Sequence, residues 1–168
     1  MIEIEISNQQ DAHPVDEQRL VSAARRILQD EGIRDGVVSL AIVNDSTIHE
    51  LNRRYLQHDY ATDVLSFVLE DEEDRLEGEV IVSADTAAAN CGRFGWSRDD
   101  ELLLYLVHGM LHLVGYDDHE PDEQRLMRQR EQHYLARFGV QARYEEADGG
   151  SDVQPHGDAA LRRQEDVP

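Results

Sequence analysis

His108 and His112 stand four residues apart in the run His108-Gly-Met-Leu-His112-Leu-Val-Gly-Tyr-Asp-Asp-His119. On a helix that spacing turns both imidazoles to the same face. Two nitrogen donors on one helix, a third group arriving from the following turn, and a fourth position left for water or substrate make the arrangement of a catalytic zinc or similar ion. A neutral imidazole on a leucine-rich face also needs a partner for each ring nitrogen, and a metal supplies one. The metalloprotease pattern His-Glu-x-x-His places a general base directly after the first His, but here that residue is Gly109. Its extended form adds a Gly three residues after the second His and a ligand three further on, positions held by Gly115 and Asp118. The metal frame is therefore present without the proteolytic base, which argues against peptide hydrolysis.

The elements that must position these groups can be read from the pattern of apolar residues. The apolar run Asp100 to Val107 is long enough for a buried helix, opened by Ser97 and Asp100 at capping-box spacing and stopped by Gly115. Upstream, Ile2, Ile4 and Ile6 fall on one face of a first strand. A helical stripe from Pro14 to about Asp30 follows, closed by Gly32. Val37 to Val43 is a second strand whose continuous apolar character predicts burial on both faces. Asn44 to Thr47 caps a helix carrying Ile48, Leu51 and Tyr55, with Thr47 and Glu50 at capping-box spacing. Asp63 to Leu69 and Glu79 to Ser83 read as a hairpin whose two strands are separated by a long solvated acidic loop, Glu70 to Glu77. A short Ala-rich helix runs from Ala84 to about Phe94. The last helix starts near Pro121, carries Leu126, Met127, Tyr134, Leu135 and Phe138, and ends at Gly139. This order predicts an α+β fold, a mixed α/β sandwich with about four strands and about five helices.

With 168 residues the chain is expected to form a single domain over residues 1–140, and the apolar-poor stretch 141–168 reads as a disordered acidic tail. One cysteine, Cys91, excludes a disulfide framework and a cysteine-based zinc site. The alternating start Met-Ile-Glu-Ile-Glu-Ile reads as a strand rather than a signal peptide, and no run reaches the roughly 18 apolar residues of a membrane span. A cytoplasmic protein without a membrane partner is expected. The 36 acidic against 16 basic residues give a formal charge of −20, which excludes a diffuse electrostatic grip on nucleic acid. Any attraction to RNA must then be local, from a metal and a few arginines such as Arg53, Arg54, Arg93 and Arg98.

The run from His108 through Gly115-Tyr-Asp117 to a following His resembles the signature of the YbeY family of bacterial rRNA maturation factors. A second segment, Leu51-Asn52 followed by Ala61-Thr-Asp-Val-Leu-Ser-Phe67, is similar to the family's other signature, and Gly78 to Ser83 resembles the strand after it. The resemblance spans about Met1 to Phe138. It implies a zinc-dependent, single-strand-specific endoribonuclease acting in small-subunit rRNA 3′ end maturation and ribosome quality control. One zinc ion, single-stranded RNA and ribosomal partners are implied, and no DNA. It implies His108 and His112 as zinc ligands and His119 as the third, with Asp118 the alternative because an additional Asp stands before His119 here. The metal site itself is then the catalytic centre, and no general base is named. Asp63, Asp117, Arg53 and Arg54 are candidates for orienting a ligand or holding substrate. Asn52 is expected to cap or bridge backbone. At the position of the family's arginine, implicated in its ribonuclease action, this chain has Leu56.

Overall fold

The computed structural model describes residues 1–141 and the backbone of 160–162. The elements follow the order β1 (Ile2–Asn8), α1 (Glu17–Asp30), β2 (Asp35–Val43), α2 (Asp45–Leu56), β3 (Val64–Asp71), β4 (Arg75–Ser83), α3 (Ala84–Asn90), α4 (Arg98–Leu113), α5 (Pro121–Arg137) and β5 (Ala160–Arg162). A 3-10 turn, Cys91–Phe94, links α3 to α4. The sheet order is β1-β2-β4-β3-β5, with β1, β2 and β4 parallel, β3 antiparallel to β4, and the three residues of β5 parallel to β3 at the edge. The four expected strands and five helices are all present in this mixed sheet. The expected disordered tail lies outside the described residues apart from β5. Among the described residues, no helix is long and apolar enough to cross a membrane.

One face of the sheet is buried by α1 and α4, with α3 and α5 against α4. Val38, Leu40, Ile42, Val64, Val80 and Val82 point into this core beside Leu20, Ala24, Ile27, Leu103, Val107 and Met110. Among the described residues the other face is covered by α2 alone, where Ile48, Leu51 and Leu56 meet Val43, Leu65, Phe67 and Ile81. This corrects the expectation for β2. Val37, Ser39 and Ala41 are only half-buried, since α2 is one 12-residue helix and shields the sheet only near Val43.

The long acidic loop is not there. β3 continues to Asp71 and β4 begins at Arg75, joined by a tight turn in which Glu72 N donates to Arg75 O (2.9 Å) and Arg75 N to Glu72 O (3.3 Å). The ladder needs only backbone groups and a solvent-facing side for the carboxylates. Leu76 anchors this end in the core, and Arg75 bridges Asp35 (2.8 Å) and Glu77 (2.6 Å), offsetting repulsion among the acidic residues. Caps differ in detail as well: Asn44, rather than Thr47, caps α2 by accepting from Thr47 N (2.8 Å). Leu126 lies on the exposed side of α5, whereas the stripe facing α4 is Met127, Glu131, Tyr134 and Leu135.

Candidate metal centre

Helix α4 forms where the cap was expected: the Ser97 side chain accepts from Asp100 N (3.1 Å), and Asp99, Asp100 and Glu101 place negative charge on the first turn. From Glu101 to Leu113 every residue is buried. Amid that apolar surface Glu101, Tyr105, His108 and His112 share one helical stripe. At its upper end Tyr105 donates to Glu101 Oε1 (2.9 Å) and accepts from Asn90 (3.2 Å). Burial, reinforced by the Glu101 charge, pushes the Tyr105 phenol well above its usual range, so it stays a neutral donor.

The lower end of the stripe is the site. His108 Nε2 and His112 Nε2 are 3.0 Å apart, their rings edge to face. After Val114 the chain reverses at Gly115, whose φ of +105° lies in the region that favours glycine, and Gly115 N donates to His112 O (3.1 Å) and Tyr116 N to Leu111 O (3.0 Å). Tyr116 then anchors the turn by donating to Glu31 Oε2 (3.0 Å), while Glu31 Oε1 is held by Arg130 (2.5 Å) and the Tyr134 hydroxyl (2.9 Å). So anchored, the turn brings Asp118 back over the histidines: Oδ2 lies 3.5 Å from His108 Nε2 and Oδ1 3.6 Å from His112 Nε2.

Among the described residues, His108, His112 and Asp118 form a cluster whose donor atoms lie within 4.8 Å of one another, able to hold a metal ion. Ligand bonds of about 2.0–2.1 Å place neighbouring corners of a tetrahedron about 3.3 Å apart. The 3.0 Å between the two Nε2 atoms is near that figure, as are 3.5 Å from His108 to Asp118 Oδ2 and 3.6 Å from His112 to Asp118 Oδ1, the last two reaching different oxygens of one carboxylate. Burial raises the Asp118 pKa, but contact with His112 and the charges of His108, His112 and His119 outweigh it and leave the carboxyl below its ordinary value. Asp118 is thus held as a carboxylate, the form that ligates.

The other expected site residues are distributed unequally. His119 is exposed, beside Asp118 but outside the three-residue cluster. Asp117 is half-exposed, with Oδ1 4.0 Å from His112 Nδ1, a buried nitrogen that has no hydrogen-bond partner among the described residues. Asp63 Oδ1 accepts from Val64 N (2.8 Å) and from the Thr62 hydroxyl (3.3 Å), bonds that shape the start of β3. Arg53 and Arg54 belong to α2, across the sheet from α4, and both pair with Glu50. Asn52 bridges backbone as expected, donating to Tyr60 O (2.9 Å). Leu56 packs on the apolar cluster under α2.

Two contacts were not foreseen. Glu131 Oε1 is 2.8 Å from His108 Nδ1, both side chains being buried. Its signal in the sequence was a carboxylate on the same stripe as Met127, Tyr134 and Leu135. Ser66 of β3 donates to Gly109 O (3.0 Å), tying the second signature segment to the backbone between the two histidines. Gly109 itself faces the sheet, where a Cβ would lie 2.7 Å from Val80 Cγ1 and 2.9 Å from Val64 Cγ2. A glutamate there would have no room and would point away from the cluster.

A family model described as "Endoribonuclease YbeY" matches residues 5–139. The chain belongs to the YbeY family. It is 43% identical over 141 residues to the Endoribonuclease YbeY of Carboxydothermus hydrogenoformans, covering 82% of this chain and 98% of that one. With the Endoribonuclease YbeY of Syntrophotalea carbinolica it shares 40% identity over 142 residues, 80% of this chain and 95% of the relative. A solution structure of a Thermotoga maritima protein superposes with a TM-score of 0.55 at 28% identity, covering 80% of this chain and 87% of that one. The YbeY match runs from within β1 through α5, so the metal cluster, the Ser66 contact and Glu131 all lie inside the family domain.

Proposed function

We propose that this chain is a zinc-dependent endoribonuclease cleaving single-stranded RNA in small-subunit rRNA maturation, working in the cytoplasm with ribosomal partners. The observation that carries the reading is the convergence of His108 Nε2 and His112 Nε2 of the buried helix with Asp118 of the following turn, all within 4.8 Å of one another in a YbeY-family domain. Two imidazoles and a carboxylate are a donor set suited to zinc. Bound there, zinc would supply Lewis acidity toward a phosphoryl oxygen or a water. His108 and His112 would hold the ion from the helix and Asp118 from the turn, with His119 adjacent as the competing ligand. The buried leucines of α4 keep bulk water from the inner side of the site. Gly109 leaves the site without the adjacent base of a metalloprotease, which favours phosphodiester over peptide hydrolysis.

The test is zinc content and cleavage of single-stranded RNA by the purified chain and by His112→Ala. One zinc per chain with cleavage that disappears in the variant is the expected result; zinc without cleavage in the wild type overturns the enzymatic reading. A second reading, a zinc-bearing ribosome-assembly factor without nuclease activity, is favoured by Leu56. That side chain sits in an apolar cluster under α2, where it holds no phosphate. For the third ligand, Asp118→Ala and His119→Ala are compared by zinc content: loss in Asp118→Ala alone is expected, and loss in His119→Ala alone reverses the assignment.

A further inference from the structure

Helix α5 carries no member of the metal cluster, yet two consecutive residues of it reach the cluster by separate routes. Arg130 grips Glu31, which holds Tyr116 and through it the turn bearing Asp118. Glu131 meets His108 Nδ1 directly, at 2.8 Å. It is 2% exposed, and an ionised carboxylate so deeply buried is costly unless it is hydrogen-bonded and its charge is offset. The two histidines are also unequally prepared. His108 has its Nδ1 tied to a carboxylate, whereas among the described residues the His112 Nδ1 has no hydrogen-bond partner, Asp117 Oδ1 lying 4.0 Å away.

We propose that Glu131 is the positioning residue of the metal centre: by accepting a hydrogen bond from His108 Nδ1–H it fixes the imidazole tautomer and ring angle that turn the Nε2 lone pair toward His112 and Asp118, and so sets metal affinity. A ligand histidine whose second nitrogen donates to a carboxylate is both oriented and made more basic. The inference rests on the reading of the cluster as a zinc site. A salt bridge between a doubly protonated His108 and Glu131 is the competing account, and in it Nε2 carries a proton and cannot ligate.

The experiment uses the full chain as wild type, Glu131→Gln and Glu131→Ala. Zinc affinity is measured by competition with a chromophoric chelator, thermal unfolding is followed with and without zinc, and the His108 ring nitrogens are observed by long-range proton–nitrogen NMR. Wild type is expected to show the Nδ1–H tautomer. Alanine should weaken zinc binding by about 10–100-fold and release the tautomer preference, while glutamine, which keeps an acceptor oxygen but no charge, retains the tautomer and loses less affinity. Should alanine fail to fold, the glutamine variant carries the test: unchanged zinc affinity in it overturns the charge contribution, and a lost tautomer overturns the orienting role. Wild-type affinity in a folded Glu131→Ala, or a His108 imidazolium in the wild type at neutral pH, overturns the inference while the zinc reading stands. A wild-type chain that takes up no zinc overturns both.

Discussion

Gly109→Ala probes whether the metal site depends on how closely α4 lies on the sheet. An alanine Cβ at this position falls 2.7 Å from Val80 Cγ1, 2.9 Å from Val64 Cγ2 and 3.1 Å from Ser66 Oγ. Carbon atoms in good contact are about 3.5–4.0 Å apart, so the helix must rise or the strands sink by about 0.5–1 Å. Neither valine can swing aside, since both are 1% exposed and β-branched side chains are stiff at χ1. Overpacking of this kind costs about 1–3 kcal/mol, and the better helix propensity of alanine offsets about 1 kcal/mol of it. The net loss is about 0–2 kcal/mol, a fall in Tm of up to about 8 °C for a chain of this size. The effect on the site is larger than on the fold. Gly109 adjoins His108, and a metal tolerates displacement of its ligands by only about 0.2 Å, so zinc affinity is expected to fall at least about tenfold. The assay is thermal unfolding of metal-free protein alongside zinc competition for Gly109→Ala, Val80→Ala and the double variant. Removing the Val80 methyls opens the space that alanine needs, so the double variant should be about 1–2 kcal/mol more stable than the two single effects add up to. Raised stability with unchanged zinc affinity in Gly109→Ala, or strict additivity in the double variant, refutes the close-packing argument.

Zinc at 100 times its Kd should stabilise the chain by about 2.7 kcal/mol, raising Tm by about 5–10 °C in a way that a chelator reverses; a His112→Ala protein showing the same rise would mean that the ion binds elsewhere. Ser66→Ala removes the bond to Gly109 O and is expected to cost about 0.5–1.5 kcal/mol, read as a Tm lower by a few degrees; an unchanged Tm would show that the bond does not hold β3 to α4. Tyr116→Phe frees the turn from Glu31, so zinc affinity should fall while the metal-free Tm changes little, and an equal affinity would mean that the turn is placed by Gly115 alone. At the β3–β4 hairpin, the charge of Glu77, with burial and then Glu72, lifts the Glu70 carboxyl above its ordinary value of 4.5. A carboxyl raised in the folded state has its full stabilising effect below the unfolded pKa and loses it as pH rises through the folded value. Glu70→Gln should therefore stabilise the chain at pH 7 and not at pH 3, as denaturant unfolding at the two pH values will show; equal gains at both would rule out the repulsion.

What could be read from the sequence was whatever lay within one element. His108 and His112 announce themselves because a helix converts a spacing of four into a shared face, the strand β1 because alternation survives any tertiary arrangement, and β2 because a continuous apolar run of that length has to be buried. Glu131 was out of reach for the opposite reason: it stands 23 residues from His108, and only the packing of α5 on α4 makes them neighbours. The acidic stretch of the hairpin misled because charge density reports solvent exposure, and the turn end of a hairpin satisfies exposure without giving up its ladder. Gly109 shows the same limit from the other side. Its identity was legible as the absence of a base, but its reason was not, because a glycine inside a helix disfavours that helix by about 1 kcal/mol relative to alanine and nothing local compensates. The compensation comes from Val64, Ser66 and Val80 on two strands, which can approach the helix axis only where there is no side chain. The second signature segment contributes Val64 and Ser66 to that contact. The two signatures therefore meet in one packing unit, in which the strand sets the height of the helix and the helix sets the angle at which its histidines face Asp118. Substitutions in the strand that change this height should then shift zinc affinity without touching a ligand.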